Sequence, residues 1–309
     1  MKRKILYMGS SEYSLTILKN LISEFPIALV ATQPDKPAGR GKITEPALLK
    51  KAAEELSIPV IQPEKINDNI FWETIQAFSI DLIIVAAYGK ILPKRLLDFP
   101  EFGCLNVHAS FLPRWRGASP IQAAIIHGDR KSGATIIRMD EGIDTGPIIS
   151  QRAIEIDTCE TSQTLSTKLA QLGSDLLLET LPKYLDGRIQ PQQQTESKAT
   201  YSGLIKKEDG LLDFGQSAEN LERKIRAFFP WPICYMTLGS EQVRIYKAEA
   251  TNEKRLEKFQ RGIINKYPSV GTATDDLILL ELQVAGKKII DGKAFLNGAR
   301  NWLSQENIP

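Results

Sequence analysis

DLIIVAAYG, residues 81–89, begins on one carboxylate and continues through eight apolar or small residues to a glycine. A run this short, apolar on both of its alternating faces, is a strand covered on both sides, as the strands of a parallel sheet are. KILYMG (4–9) and IALVAT (27–32) have the same character, PVIQP (59–63) is a shorter version, and GCLNVH (103–108) and GATIIRM (133–139) follow. Helical spacings lie between them: Leu15, Leu18 and Ile22; then Leu49, Ala53 and Leu56, with Thr44 as the expected N-cap and Pro46 in the first turn; then PIQAAIIHG (120–128). Strands and helices in alternation predict βαβ units and a mainly parallel sheet. Leu165, Leu169, Leu172 and Leu176 mark a long amphipathic helix that closes this unit.

The rhythm then changes. DGRIQPQQQTESKAT (186–200) is nearly free of apolar residues and reads as a linker. ICYMTL, QVRIYKAEA and DLILLELQV are strand-like, with no helical pattern between them until about residue 291, where DGKAFLNGARNWL suggests a terminal helix. The expected division is an α/β domain over 1–187, a linker over 188–206 and a smaller β-barrel domain over 207–309.

Bulk properties exclude several classes of function. The chain has 309 residues, 42% of them hydrophobic, and a net charge of only +2, so any contact with nucleic acid must be local. No window reaches the roughly 18 apolar residues of a membrane span. Cys104, Cys159 and Cys234 are odd in number and far apart, which speaks against a disulfide framework or a zinc site and for three buried, inert thiols. A cytoplasmic protein without metal is expected. The turn after the first strand, GSSEYS, has one glycine where a dinucleotide fingerprint needs three. PAGRGKIT (37–44) has the Gly-Lys of a P-loop but lacks its first glycine and its Ser or Thr.

The candidate chemistry lies in NVHASFLPRWRGASPI (106–121) and RMDEGIDTGPII (138–149). Asn106 and His108 sit two apart at the C-terminal end of a strand, so they face one side, at the edge where α/β sheets bind ligands. Asp144 stands between Gly142 and Gly146 in an acidic loop that the glycines shape sharply. Singly, an N-x-H on a strand is a satisfied polar pair and an Asp among glycines is a turn residue. Together they supply an amide and an imidazolium for an oxyanion and a carboxylate for proton handling. No G-x-S-x-G elbow offers a nucleophile, so the nucleophile belongs to a substrate: acyl transfer to an incoming amine. His127, at a helix end before Gly128, is read as structural. TQPDKPAGRGK (32–42) carries Lys36, Arg40 and Lys42, either as a solvated loop or as a basic finger against phosphates.

On these stretches, with VAAYGKILP (85–93) and IRAFFPWP (225–232), the chain resembles the methionyl-tRNA formyltransferase family within the folate-dependent formyltransferases. The resemblance spans almost the whole chain. It implies a Rossmann-like formyltransferase domain followed by an OB-like barrel, and formyl transfer from 10-formyltetrahydrofolate to the α-amine of initiator methionyl-tRNA, with no obligate protein partner. It implies that Asn106, His108 and Asp144 are catalytic. The turn Ser110, Phe111, Leu112 and Pro113 would bind the reduced folate, and Arg40, flanked by Lys36 and Lys42, would meet the tRNA acceptor end. SFLP and GASPIQ replace the family's SLLP and GAAPIQ, while GSSEYS departs further from its G-T-P-x-F. Rival readings are a formyltransferase for a small amine, a tRNA-binding protein without activity, and a hydrolase that releases formate.

Overall fold

The computed structural model describes residues 3–38, 43–299 and 302–303. In chain order the elements are β1 (Ile5–Gly9), α1 (Glu12–Leu21), β2 (Ile27–Ala31), β3 (Lys36–Ala38), β4 (Ile43–Glu45), α2 (Leu48–Glu55), β5 (Val60–Ile61) and α3 (Asn69–Phe78). Next come β6 (Leu82–Ala86), α4 (Lys94–Leu97), β7 (Cys104–His108), β8 (Arg116–Gly117), α5 (Pro120–Ile126), β9 (Lys131–Arg138), β10 (Ile148–Glu155), α6 (Ser162–Leu185) and β11 (Tyr201–Ser202). The last are α7 (Ala218–Ala227), β12 (Cys234–Leu238), β13 (Glu241–Ala250), β14 (Arg261–Ile264), β15 (Tyr267–Gly271), β16 (Asp276–Val284), β17 (Ile290–Asp291) and α8 (Gly292–Gly298). They form two compact units, one of Met1–Pro120, Lys131–Glu155 and Ser166–Gly203, the other of Ile121–Arg130, Ile156–Leu165 and Leu204–Pro309.

The first unit is built on a seven-stranded sheet in the order β10-β9-β7-β6-β1-β2-β5. The five strands from β7 to β5 are parallel, and β9 runs antiparallel to both β7 and β10. β1 and β6 are buried along their whole length, which is why their sequences are apolar without alternation. Leu6, Met8, Ile83 and Val85 pack with Phe71, Trp72 and Ile75 of α3 in one apolar cluster. Burial at about 25 cal/mol per Å2 of apolar surface makes such a cluster the main stabilising term.

Two local features need a physical account. GSSEYS is a helix entry: Ser11 caps α1, accepting from the Ser14 N–H at 3.3 Å, while Ser14 Oγ accepts from the Ser11 N–H at 2.9 Å. Thr44 does not cap α2. It lies within β4, paired with β3, and α2 starts only at Leu48. The cause is Pro46, which biases Glu45 toward extended backbone and so ends a strand where a helix start was expected.

The second unit is an antiparallel β domain with strand order β12-β13-β16-β15-β14 and β17 on β16. Its strand expectation omits α7, which Ser217 caps and which buries Ala218, Leu221, Ile225 and Ala227. Ala218, Leu221 and Ile225 recur at helical spacing against a charged face, a period that the strand reading of this region passes over. Arg223 and Arg226 are paired with Glu219 and Glu222, and Lys224 donates to the Leu211 carbonyl at 2.8 Å, so three of the domain's basic residues are engaged internally. The expectation of three buried thiols needs correction. Cys104 and Cys234 are buried and pushed up to about 12 by that burial, but Cys159 is exposed, in a turn of polar neighbours between β10 and α6.

Candidate active site

Asn106 and His108 lie on β7 either side of the buried Val107, so pleating turns both to one face. The Asp144 carboxylate meets both there. Its Oδ1 accepts from Asn106 Nδ2 at 3.1 Å, and its Oδ2 lies 3.4 Å from His108 Nδ1 and accepts the Gly117 N–H at 2.8 Å. His108 Nε2 is 3.0 Å from the Trp115 carbonyl, so each ring nitrogen lies beside an oxygen atom. The His108 and Asp144 side chains are only 6% and 14% exposed, so their interaction is weakly screened.

The loop that presents Asp144 is fixed from within. Asp140 Oδ1 accepts from the Gly142 N–H at 3.1 Å and from Thr145 Oγ1 at 2.6 Å, which makes Asp140 a turn residue. Asp144 adopts φ 53°, in the left-handed region. A Cβ at Gly146 would stand 2.0 Å from the Arg138 carbonyl oxygen, so only glycine lets the chain double back against β9. Glu141 points outward and pairs with Lys94 at 3.5 Å.

The SFLP turn is internally tied. Ser110 Oγ donates to the Arg114 carbonyl at 2.6 Å, Thr135 Oγ1 links the Ser110 carbonyl to the Leu112 N–H, and Gln151 donates to the Leu112 carbonyl at 2.9 Å. Ser110 and Leu112 are each 1% exposed, whereas Phe111 is 42% exposed. His127 Nδ1 is 2.9 Å from the Ala123 carbonyl of its own helix, a local end contact.

Of the basic stretch, Lys36 opens β3, while Arg40 and Lys42 lie outside the described residues. Within that stretch, just before Lys36, Asp35 accepts from Lys50 at 2.7 Å, from Gln62 at 2.6 Å and from the Ala47 N–H at 3.0 Å. These bonds, Lys50 foremost, hold its carboxyl down at about 2. A lowered value means that the anchor is complete above the ordinary carboxyl value of 3.8 and is lost as pH falls through about 2. Asp35→Asn is therefore expected to flatten the acid-side fall of the urea midpoint, measured against the parent over that range.

Sequence reading alone missed a further set of residues. The polar stretch after α6 is bound along the first unit: Gln192 exchanges two backbone bonds with Ile148, each 2.7 Å, and β11 pairs with β8. Gln194 Nε2 donates to the Asp144 and Gly146 carbonyls, each at 2.7 Å, and Thr200 Oγ1 accepts the Trp115 N–H at 2.9 Å. Arg116, fully buried, reaches Gln194 Oε1 at 3.1 Å, both oxygens of Glu196 and the Tyr201 hydroxyl. The only sequence signal was an arginine beside Gly117 with no assigned partner. Among the described residues, no cluster of three His, Cys, Asp or Glu side chains could hold a metal ion, and no helix is long and apolar enough to cross a membrane.

The chain is similar to known formyltransferases along nearly its whole length. Residues 3–181 match the family model described as formyl transferase, and residues 204–300 match that of the formyl transferase C-terminal domain. The methionyl-tRNA formyltransferase of Pseudoalteromonas translucida is 39% identical over 99% of this chain and 97% of its own. That of Thermodesulfovibrio yellowstonii is 41% identical over 97% of each. Among solved structures, a sugar 3N-formyl transferase superposes with a TM-score of 0.67, covering 93% of this chain and 100% of its own, and at 19% identity this likeness concerns the fold alone. The two units thus define an enzyme of formyl transfer. The chain belongs to the methionyl-tRNA formyltransferase family.

Proposed function

We propose that the protein transfers the formyl group of 10-formyltetrahydrofolate to the α-amine of initiator methionyl-tRNA, giving the N-formylated aminoacyl-tRNA that starts translation. The observation that carries this reading is one carboxylate, Asp144, bonded to Asn106 and facing His108 on the edge of a mainly parallel sheet. In the reaction the neutral amine nitrogen bonds to the formyl carbon, the bond from that carbon to folate N10 breaks, one proton leaves the amine and one reaches N10. Asn106 gives one Nδ2 hydrogen to Asp144 and keeps the second for the developing oxyanion. His108 has both nitrogens engaged, so it acts through its charge beside that oxygen. Asp144 stabilises the charged ring and takes up the amine proton through water.

In this reading the catalytic domain is 1–187, the linker 188–206 and the tRNA-contacting domain 207–309. The reduced folate lies along the SFLP turn. Phe111 and Pro113 are its accessible members, and Ser110 and Leu112 hold the turn's shape. Lys36, Arg40 and Lys42 neutralise phosphates near the acceptor end.

The test is formyl transfer from 10-formyltetrahydrofolate to charged initiator tRNA, read as the mass of the released amino acid. Formylmethionine is expected with the intact protein and not with His108→Ala. Folate turnover without formylmethionine would move the acceptor to a small amine or to water. Arg40→Ala is expected to raise KM for the tRNA about tenfold, the loss of one charge-assisted contact, with KM for the folate unchanged. An equal rise in both would refute the phosphate role.

A further inference from the structure

Asp144 is a non-glycine residue in the left-handed region at φ 53°, and its loop runs between β9 and β10. Such a conformation persists only where its surroundings over-determine it. Beside the bonds to the Asp144 carboxylate and those within the loop, one side chain from outside holds the loop's backbone carbonyls. Gln194 has two amide hydrogens and spends one on the Asp144 carbonyl and one on the Gly146 carbonyl, both at 2.7 Å. Its remaining amide atom, Oε1, accepts from Arg116 Nε at 3.1 Å, so the amide cannot turn over without setting its oxygen against two carbonyl oxygens. Arg116 is itself fixed, 0% exposed and paired with Glu196 at 2.9 Å. The residue that follows it, Gly117, donates its N–H to the Asp144 carboxylate at 2.8 Å. The contacts therefore close a ring from the Asp144 carbonyl through Gln194 and Arg116 to Gly117 and back to the Asp144 carboxylate. Gln192, bonded twice to Ile148, sets the register that delivers Gln194 to this place.

We propose that Gln194 is a positioning residue for formyl transfer, holding the Asp144 carboxylate against Asn106 and His108 from outside the reacting groups. The groups that shape the site thereby extend past α6 to Gln194. The proposal rests on the reading of Asp144 as the proton-handling carboxylate. Gln194 touches no reacting atom, so its loss acts on the geometry of the step and not on the binding of either substrate.

Steady-state formylation by the full-length Gln194→Leu and Gln194→Glu variants tests this. Each removes both donors, and Gln194→Glu keeps the side chain's shape. Both are expected to lower kcat by about tenfold to a hundredfold, the cost of a misplacement near 1 Å, with KM for the folate within about twofold of the parent. Gln193→Leu, the adjacent control, keeps the parent's kcat. In Asp144→Asn the carboxylate is already lost, so adding Gln194→Leu should change kcat by less than about threefold, a strong departure from additivity. A parental kcat in Gln194→Glu, or losses that multiply in the double variant, overturns the proposal while leaving Asp144 in place. A parental kcat in Asp144→Asn overturns the reading of Asp144, and the role of Gln194 falls with it.

Discussion

Asp144→Asn is expected to lower the rate of formyl transfer by about 10²-fold or more while the fold and the folate KM stay close to the parent's. The carboxylate accepts from two donors, the Asn106 amide and the Gly117 N–H, and lies 3.4 Å from His108 Nδ1. An amide has one acceptor oxygen. If that oxygen stays with Gly117 and His108, its NH2 meets the NH2 of Asn106, which must turn and withdraw the hydrogen kept for the oxyanion. If it stays with Asn106, its NH2 faces the Gly117 N–H and the His108 nitrogen. In either case the charge that stabilises a protonated His108 is gone, and so is the base for the amine proton. Single-turnover rates with saturating substrates measure this directly, and far-UV circular dichroism checks the fold. A variant that turns over at the parental rate would remove Asp144 from the reaction and leave Asn106 and His108 to act alone.

The geometry of the candidate site is partly legible in the sequence because its signals are local. Asn106 and His108 stand two apart in a strand, and period two alone sets them on one face. Gly142 and Gly146 announced a tight turn around Asp144, and both are used as such: one gives its N–H to Asp140, the other lies against the Arg138 carbonyl. The central strands were legible for the same reason, since burial on both faces leaves unbroken apolar runs. What escaped has no period. Gln194, Thr200 and Ser202 act through hydrogen bonds to residues tens of positions away, and polar side chains spent on backbone groups look the same in sequence as side chains spent on water. The stretch 186–200 reads as a linker because it is nearly free of apolar residues, yet its hydrogen bonds hold two loops of the candidate site. Thr44 misled in the opposite way: a good cap residue before a proline lost to strand pairing with β3. The helix over Ala218–Ala227 carries its period, Ala218, Leu221 and Ile225, but is short and mostly charged, so a reading led by apolar runs passes over it.

Gly117→Ala is expected to damage stability and turnover together, and the two losses have separable causes. Gly117 has φ 106°, where a side chain is strained whatever the space around it, and an added Cβ would stand 2.4 Å from the Ser202 carbonyl oxygen. That oxygen accepts the Ala118 N–H at 3.1 Å and belongs to the pairing of β8 with β11, so relief requires the bound stretch to move off the loop. The backbone strain costs about 1–3 kcal/mol, which should appear as a lower urea midpoint with an unchanged slope. The movement also displaces the Gly117 N–H from Asp144 and Arg116 from Gln194, so kcat should fall by about tenfold to a hundredfold. Gly187→Ala separates the two terms. Gly187 also has positive φ, 69°, but nothing lies within 4 Å of its added Cβ. It should lose some stability and keep the parental kcat. If Gly117→Ala loses stability to a similar extent and also keeps its kcat, then the contact between β8 and β11 is scaffolding only. If turnover collapses in Gly117→Ala alone, the stretch that follows α6 is part of what the active site is made of.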